Sequence, residues 1–309
     1  MSVVYVSTQN ARITKQSRRL VICTNDEIIL EIPDFKIERL VIFGNAHITT
    51  PALAFLLDKG IETSFLTVKG RFRGRLMGRV SKNVFLKQDQ FFRIQDKEYC
   101  VESARNIVSS KLGAMIKLCG DSTEARRLEG IAPLIARKTT LDSLRGVEGF
   151  ASAVYFSHFK TKIPNEYNFN IRQRRPAFDP VNACLNLGYT LLTNEISSMI
   201  EANGLDPHFG VYHRLSYGRP SLALDVIEEF RANVIDRLVM YLFKNRAFPE
   251  KMYSMTDAGC RLSEDALSVY FANYEKKVRT VRPVIRKRAE YLVECFEKNE
   301  VYKPDAVSC

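Results

Sequence analysis

The sequence predicts an α+β protein, with a small β-rich, β-sandwich-like domain over residues 1–85 and a larger all-α domain over residues 86–309. Three observations carry that reading. Short Val- and Ile-rich runs, separated by turn-forming residues, fill the first part of the chain. From about Leu86 onward the apolar residues switch to the i, i+3, i+4 spacing of amphipathic helices. At 309 residues and 46% hydrophobic the chain can bury two cores, and the change of period near residues 81–92 marks where they divide.

Strands are expected at VVYV, RLVIC, EIILEI and ERLVIFG, punctuated by Asn25, Asp26, Pro33 and Asp34. One helix interrupts them at TTPALAFLLDKG, where Thr50 can cap, Pro51 suits the first helical position and Gly60 can turn left-handed just past the end. ETSFLTV reads as a further strand. KGRFRGRLMGR alternates glycine with Lys69, Arg71, Arg73, Arg75 and Arg79, a basic loop or hairpin. In the second part, YCVESARNIVSSKLGAMIKLC sets Val101, Ala104, Ile107, Val108 and Leu112 on one helix face. Segments 122–138, 141–160, 180–202, 221–246, 263–274 and 280–298 follow the same rhythm.

A formal charge of +11, from 46 Lys and Arg against 35 Asp and Glu, favours polyanionic partners because each phosphate contact releases counterions. A basic surface also serves plain solubility. The seven cysteines are scattered and never form a CxxC pair, which argues against a disulfide framework or a structural zinc cluster and for a reducing cytoplasm. The N-terminus lacks the basic-then-apolar pattern of a leader, and no stretch approaches the apolar length of a membrane span. A cytoplasmic protein with no membrane partner is expected.

The helix after GRPS, with Ser221 as its expected N-cap, sets Val226, Ile227, Phe230, Val234, Leu238 and Leu242 on a broad buried face. At about 100° per residue, Asp225, Glu228 and Glu229 gather in a narrow sector beside that face. Carboxylates crowded this way repel one another, and a hard divalent cation such as Mg2+ or Mn2+ would offset the repulsion. An acidic stripe near a helix N-terminus is equally the mark of a solvated face that complements the helix dipole. Upstream, GLDPHFGVYH holds two of the four histidines. His208 and His213 project in different directions, and His213, in phase with Phe209 and Val211 in an extended segment, is the inward candidate. A core histidine would pack the same way. In LDSLRGVEGFASAVYFSHF, Gly146 and Gly149 flank Glu148 inside a helical pattern, each costing about 1 kcal/mol relative to alanine. Close approach by another helix or by a ligand would account for them.

Four blocks then appear in order: RGVEGFASAVYF (145–156), RRPAFDPVNACLNLGYTLL (174–192), GLDPHFGVYH (204–213) and GRPSLALDVIEEFRANVIDRLV (218–239). Together they closely resemble the CRISPR-associated adaptation endonucleases, the integrases that insert new spacers into a CRISPR array. The resemblance covers the whole helical part, and the β-rich part agrees with that family's smaller domain. It implies a catalytic set of Glu148, His213, Asp225 and Glu228, in which Glu148, His213 and Glu228 hold Mg2+ or Mn2+ and Asp225 is a further ligand or a support beside it. Glu229 becomes a neighbour, and His208 stays outside. The implied reaction is transesterification, in which the 3′-hydroxyl of incoming DNA attacks a repeat phosphodiester, with hydrolysis when water replaces that hydroxyl. The implied partners are double-stranded DNA, as prespacer and as CRISPR repeat, a second copy paired through the β-rich domains, and a small CRISPR adaptation partner protein that completes a heterohexamer. Arg71, Arg73, Arg75, Arg174 and Arg175 become candidates for phosphate contact, and Asn182 and Tyr155 for support or substrate positioning. Two readings from other classes stand against the integrase: a non-catalytic DNA-binding scaffold of the same fold, and a metal hydrolase of small phosphate esters.

Overall fold

The alternation of side chains along the N-terminal strands decides how the first part is layered. The structure, a computed structural model, describes residues 2–304 apart from Asp26, Lys69, Met77, residues 79–82 and Arg175. One four-stranded sheet runs β1 (Ser2–Val6), β5 (Ile37–Phe43), β7 (Glu62–Leu66), β8 (Phe72–Leu76), parallel except for β8. The other runs β4 (Glu27–Pro33), β3 (Arg19–Thr24), β2 (Ala11–Gln16), β6 (Ala46–Ile48). Val4, Val6, Ile37, Leu40 and Ile42 of the first sheet share a core with Ala11, Ile13, Leu20 and Ile22 of the second, and α1 (Thr50–Asp58) adds Ala52, Phe55 and Leu56. The opposite residues of the first sheet, Val41, Phe43 and Leu66, join the core of the helical part. A sheet covered on both faces needs apolar residues on both, which is why β5 is a nearly unbroken apolar run.

The helical part comprises α2 (Val84–Arg93), α3 (Lys97–Cys119), α4 (Thr123–Ala136), α5 (Leu141–Thr161), α6 (Pro180–Ala202), α7 (Ser221–Ile227), α8 (Arg237–Lys244) and α9 (Glu264–Lys298). Their starts are fixed locally: Asp96, Ser122, Thr140, Asp179 and Ser263 each accept a backbone N–H of the first turn. The two parts are joined through a buried charge network. Arg39 of β5 lies 3.4 Å from Glu62 and 3.5 Å from Glu195 of α6, and Arg282 of α9 lies 2.9 Å from Glu195 and 2.7 Å from Glu275. Tyr5 of β1 donates to Glu275 at 2.6 Å.

Several local expectations are corrected. The cap position of α1 falls on Thr49 rather than Thr50. Ser221 is the first residue of α7, and its hydroxyl donates to the Arg214 carbonyl instead of capping. The segments 263–274 and 280–298 are one helix, α9, continuous through Pro283, because Val278, Val281 and Ile285 on either side of it are buried and their packing outweighs the lost hydrogen bond. The expected helix 221–246 is interrupted by a π-helical turn, Arg231–Asp236, between α7 and α8. A hairpin, β9 (Tyr253–Thr256) and β10 (Gly259–Leu262), sits within the part expected to be wholly helical. Among the described residues no helix is long and apolar enough to cross a membrane.

Candidate metal centre

Four elements converge on one point. The loop 203–219 crosses the first turn of α7, and Gly210 makes the crossing possible: a Cβ there would stand 2.6 Å from Asp225 Oδ2 and from the Ser221 carbonyl carbon. The loop folds around the Asp225 carboxylate. Oδ2 accepts the N–H groups of Val211 at 2.7 Å and Tyr212 at 3.1 Å, and Oδ1 accepts the N–H of His213 at 2.9 Å and its ring Nδ1–H at 2.7 Å. Asp225 is fully buried, and both of its oxygens are engaged in holding the loop. With Nδ1–H committed to the carboxylate, the imidazole turns its Nε2 lone pair toward Glu228, 3.6 Å from Oε1.

Glu228, one turn beyond Asp225, is 2% exposed and faces two cations, Arg231 at 3.2 Å and Lys111 at 2.8 Å, beside the His213 ring. Burial opposes its ionisation, but Arg231, Lys111 and His213 outweigh burial and hold its pKa down at about 2. Its Oε2 is ion-paired with Lys111 by distance, yet no donor is aligned with it for a hydrogen bond, which leaves a buried carboxylate oxygen directed at the centre. Glu148, from α5, completes the group. It accepts from Ser152 at 3.1 Å and pairs with the same Lys111 ammonium. As these side chains lie, Lys111 stands between Glu148 and Glu228, and no group of three or more His, Cys, Asp or Glu among the described residues is closed around a single point. The donor set itself fits a hard divalent cation: two carboxylates, one without an aligned partner on Oε2, and an imidazole with Nδ1 held by a carboxylate.

The remaining candidates fall into four groups. Tyr155 is buried and donates to Asp236 at 2.8 Å, beside a second donor, Tyr189. Burial, partly offset by those hydrogen bonds and by Arg172 and Arg231, raises the pKa of Asp236 to about 6. Asn182 accepts from the N–H of Gln173 at 2.8 Å and from Arg172 at 2.9 Å, and donates to the Ile171 carbonyl at 2.8 Å, so it fastens the strap 171–173 to α6. Arg71 and Arg174 line a cavity of about 610 Å³ together with His213, Arg172, Arg219 and Arg231. Arg73 lines an adjoining cavity between the β-rich and helical parts. Arg75 is engaged with Glu201 and Ser198 of α6, and Arg175 lies outside the described residues. Glu229 turns away from the centre to Arg288 and Tyr302, and His208 is exposed, bonded to Asp206.

Lys111, Arg231, Arg172 and Asp236 were missed by the sequence reading. Lys111 did carry a signal: it is in phase with Ala104, Ile107 and Val108 on the apolar face of α3, and a lysine is rarely buried there without a partner. Arg172 lies in a loop without periodicity, and the π-helical turn that directs Arg231 and Asp236 has no sequence signature of its own.

The fold is that of Cas1 proteins. A CAS1 protein from Thermotoga maritima superposes with a TM-score of 0.88 at 25% identity, covering 98% of this chain and 100% of that one. A chain of a Cas6-RT-Cas1–Cas2 complex shares the fold with a TM-score of 0.85 at 21% identity, over 98% of this chain and 36% of that chain. A curated relative, a CRISPR-associated endonuclease Cas1 of Thermus thermophilus, is 32% identical over 297 residues, 94% of this chain and 90% of its own length. The model of the CRISPR associated protein Cas1 family matches residues 4–276, and the chain belongs to that family.

Proposed function

We propose that this Cas1-family chain carries out the integration chemistry of CRISPR adaptation as a divalent-cation-dependent DNA transesterase and nuclease, with Glu148, His213 Nε2 and Glu228 as ligands and Asp225 orienting the imidazole. One observation carries the reading: Glu148 and Glu228 converge on a single buried positive charge beside an imidazole fixed by a carboxylate. Mg2+ or Mn2+ held there supplies Lewis acidity toward a phosphate oxygen and toward charge on the departing 3′-oxygen. The arginines around His213 (Arg71, Arg172, Arg174, Arg219) neutralise and position the DNA backbone without reading its sequence. The 3′-hydroxyl of the incoming strand forms the new phosphorus–oxygen bond as the repeat's own 3′-oxygen leaves. No protein nucleophile is required, and water in place of the hydroxyl gives cleavage.

The same reading includes double-stranded DNA as substrate and a homodimer formed through the β-rich domain. Edge strand β4 supports the latter: Ile28 and Ile29 are more than half exposed, and Phe35 follows them at 64%. A small CRISPR adaptation partner bridging two such dimers would complete a heterohexamer, a reading supported by the likeness of this chain to part of one chain of a Cas6-RT-Cas1–Cas2 complex. The test is strand transfer of labelled duplex into a supercoiled plasmid carrying the repeat. Glu148→Ala and His213→Ala are expected to abolish product while retaining duplex binding. Wild-type product levels in either variant would overturn the reading.

A further inference from the structure

Lys111 has no role in the scheme above, yet it occupies the middle of the site. It is 7% exposed, on the apolar face of α3, with its ammonium paired to both Glu148 and Glu228. Two features set it apart from an ordinary structural ion pair. Each carboxylate keeps another partner should the lysine leave: Arg231 at 3.2 Å for Glu228 and Ser152 at 3.1 Å for Glu148. The lysine also borders a cavity of about 490 Å³, lined by Glu148, Ser152, Arg172, Arg174 and Arg231 as well, which can receive a displaced side chain.

We propose that Lys111 is the resident counter-ion of this centre: in the cation-free protein its ammonium fills the space between Glu148 and Glu228, and an entering divalent cation displaces it into the adjoining cavity. The proposal rests on the metal reading given above. Without Lys111 the two carboxylates, one of them deeply buried, lose a neutralising charge, so the lysine holds the ligands near their working positions before any cation arrives. The ammonium and the cation compete for the same oxygens, so the lysine also sets the affinity of the site low. In the cavity the displaced ammonium stands beside Arg172 and Arg174, where a phosphate would meet it.

The test uses the full-length protein and Mn2+ alone, followed by titration calorimetry. Lys111→Met is expected to bind Mn2+ about tenfold more tightly or better, because a competing positive charge is removed, and to melt lower in EDTA than the wild type. Lys111→Arg, which keeps the charge, should stay within about threefold of the wild type. Equal or weaker Mn2+ binding by Lys111→Met, in a background where Glu228→Gln abolishes binding, would sink the counter-ion role while leaving the metal reading intact. Absence of Mn2+ binding in the wild type would overturn both. Should Lys111→Met not fold without metal, acetylation of the wild type followed by mass spectrometry decides instead. Lys111 is expected to be modified more in Mn2+ than in EDTA, and equal modification overturns the proposal.

Discussion

Asp225 and His213 are bonded twice through a single oxygen: Oδ1 accepts both the backbone N–H and the ring Nδ1–H of the histidine, at 2.9 and 2.7 Å. The first bond fixes where the residue sits, and the second fixes which ring nitrogen is left to accept. Asp225→Asn keeps the shape but weakens the acceptor, and it can present an N–H to a donor. Mn2+ affinity is expected to drop by about 10- to 100-fold, with duplex binding unchanged, as read by calorimetry and by gel shift. In the wild type, EDTA should eliminate strand transfer as completely as Glu148→Ala does. An Asp225→Asn protein with undiminished Mn2+ affinity would remove the imidazole from the ligand set.

Gly210 lies where the loop meets the first turn of α7. A methyl group there would press on Asp225 Oδ2 and on the Ser221 backbone, both at 2.6 Å, and backbone cannot yield as a side-chain tip can. Gly210→Ala is expected to cost about 1–3 kcal/mol in urea denaturation and to reduce strand transfer with it, since Asp225 and His213 must shift together. Gly146→Ala is the contrast. Its added carbon would meet nothing within 4 Å, so stability should hold or rise slightly.

Two buried carboxylates make stability depend on pH with opposite signs. Asp236, raised to about 6, binds its proton more tightly in the folded chain than in the unfolded one. Its contribution is therefore greatest below about pH 4, falls as pH rises toward 6 and is level above, a span worth about 3 kcal/mol. Glu228, lowered to about 2, contributes fully above its unfolded value and loses that contribution as pH falls toward 2. The stability of the wild type minus that of Asp236→Asn should decline between about pH 4 and 6 and be level above. A difference that rises with pH would contradict the assigned burial of Asp236.

Glu195 sits between two guanidiniums, Arg39 of the β-rich part and Arg282 of α9, and also accepts from Tyr274 at 3.1 Å. Glu195→Gln leaves two buried cations without their shared anion. A loss of about 3–5 kcal/mol is expected in denaturant titration, with both parts unfolding in one transition. Arg39→Met combined with Glu195→Gln should recover part of the loss, because one of the two cations is removed with the anion it shared, while Arg282 keeps Glu275.

The sequence made the fold legible where one periodicity dominated. The strands feeding two cores, the helices α4, α5 and α6, and the division between strand-rich and helix-rich parts all follow from spacing. Strands β2 and β6 carried no comparable signal, since ARITKQ alternates apolar with charged residues over only two buried positions, Ala11 and Ile13. At the site, periodicity brought Asp225 and Glu228 to one sector, and the phase of the loop favoured His213 over His208. The two bonds from Asp225 to His213 depend on a non-repetitive loop folding back on a helix, and no spacing rule describes that. The basic hairpin misled in part: Arg75 of β8 is tied to Glu201 and Ser198 of α6, where it holds the fold rather than meets solvent.

The wide turn between α7 and α8 is where chain length can give by one residue. It absorbs one residue more per turn than a regular helix, and Arg231 and Asp236 stand at its two ends, one on Glu228 and the other on Tyr155. A one-residue deletion inside 231–236 would tighten the turn into ordinary helix and leave α8, with Leu238, Val239, Leu242 and Phe243, close to its present phase, whereas a deletion in the regular helix on either side would swing the following side chains about a quarter-turn. The segment can therefore give in count more readily than in kind, since Arg231 and Asp236 cannot be replaced without releasing Glu228 and Tyr155.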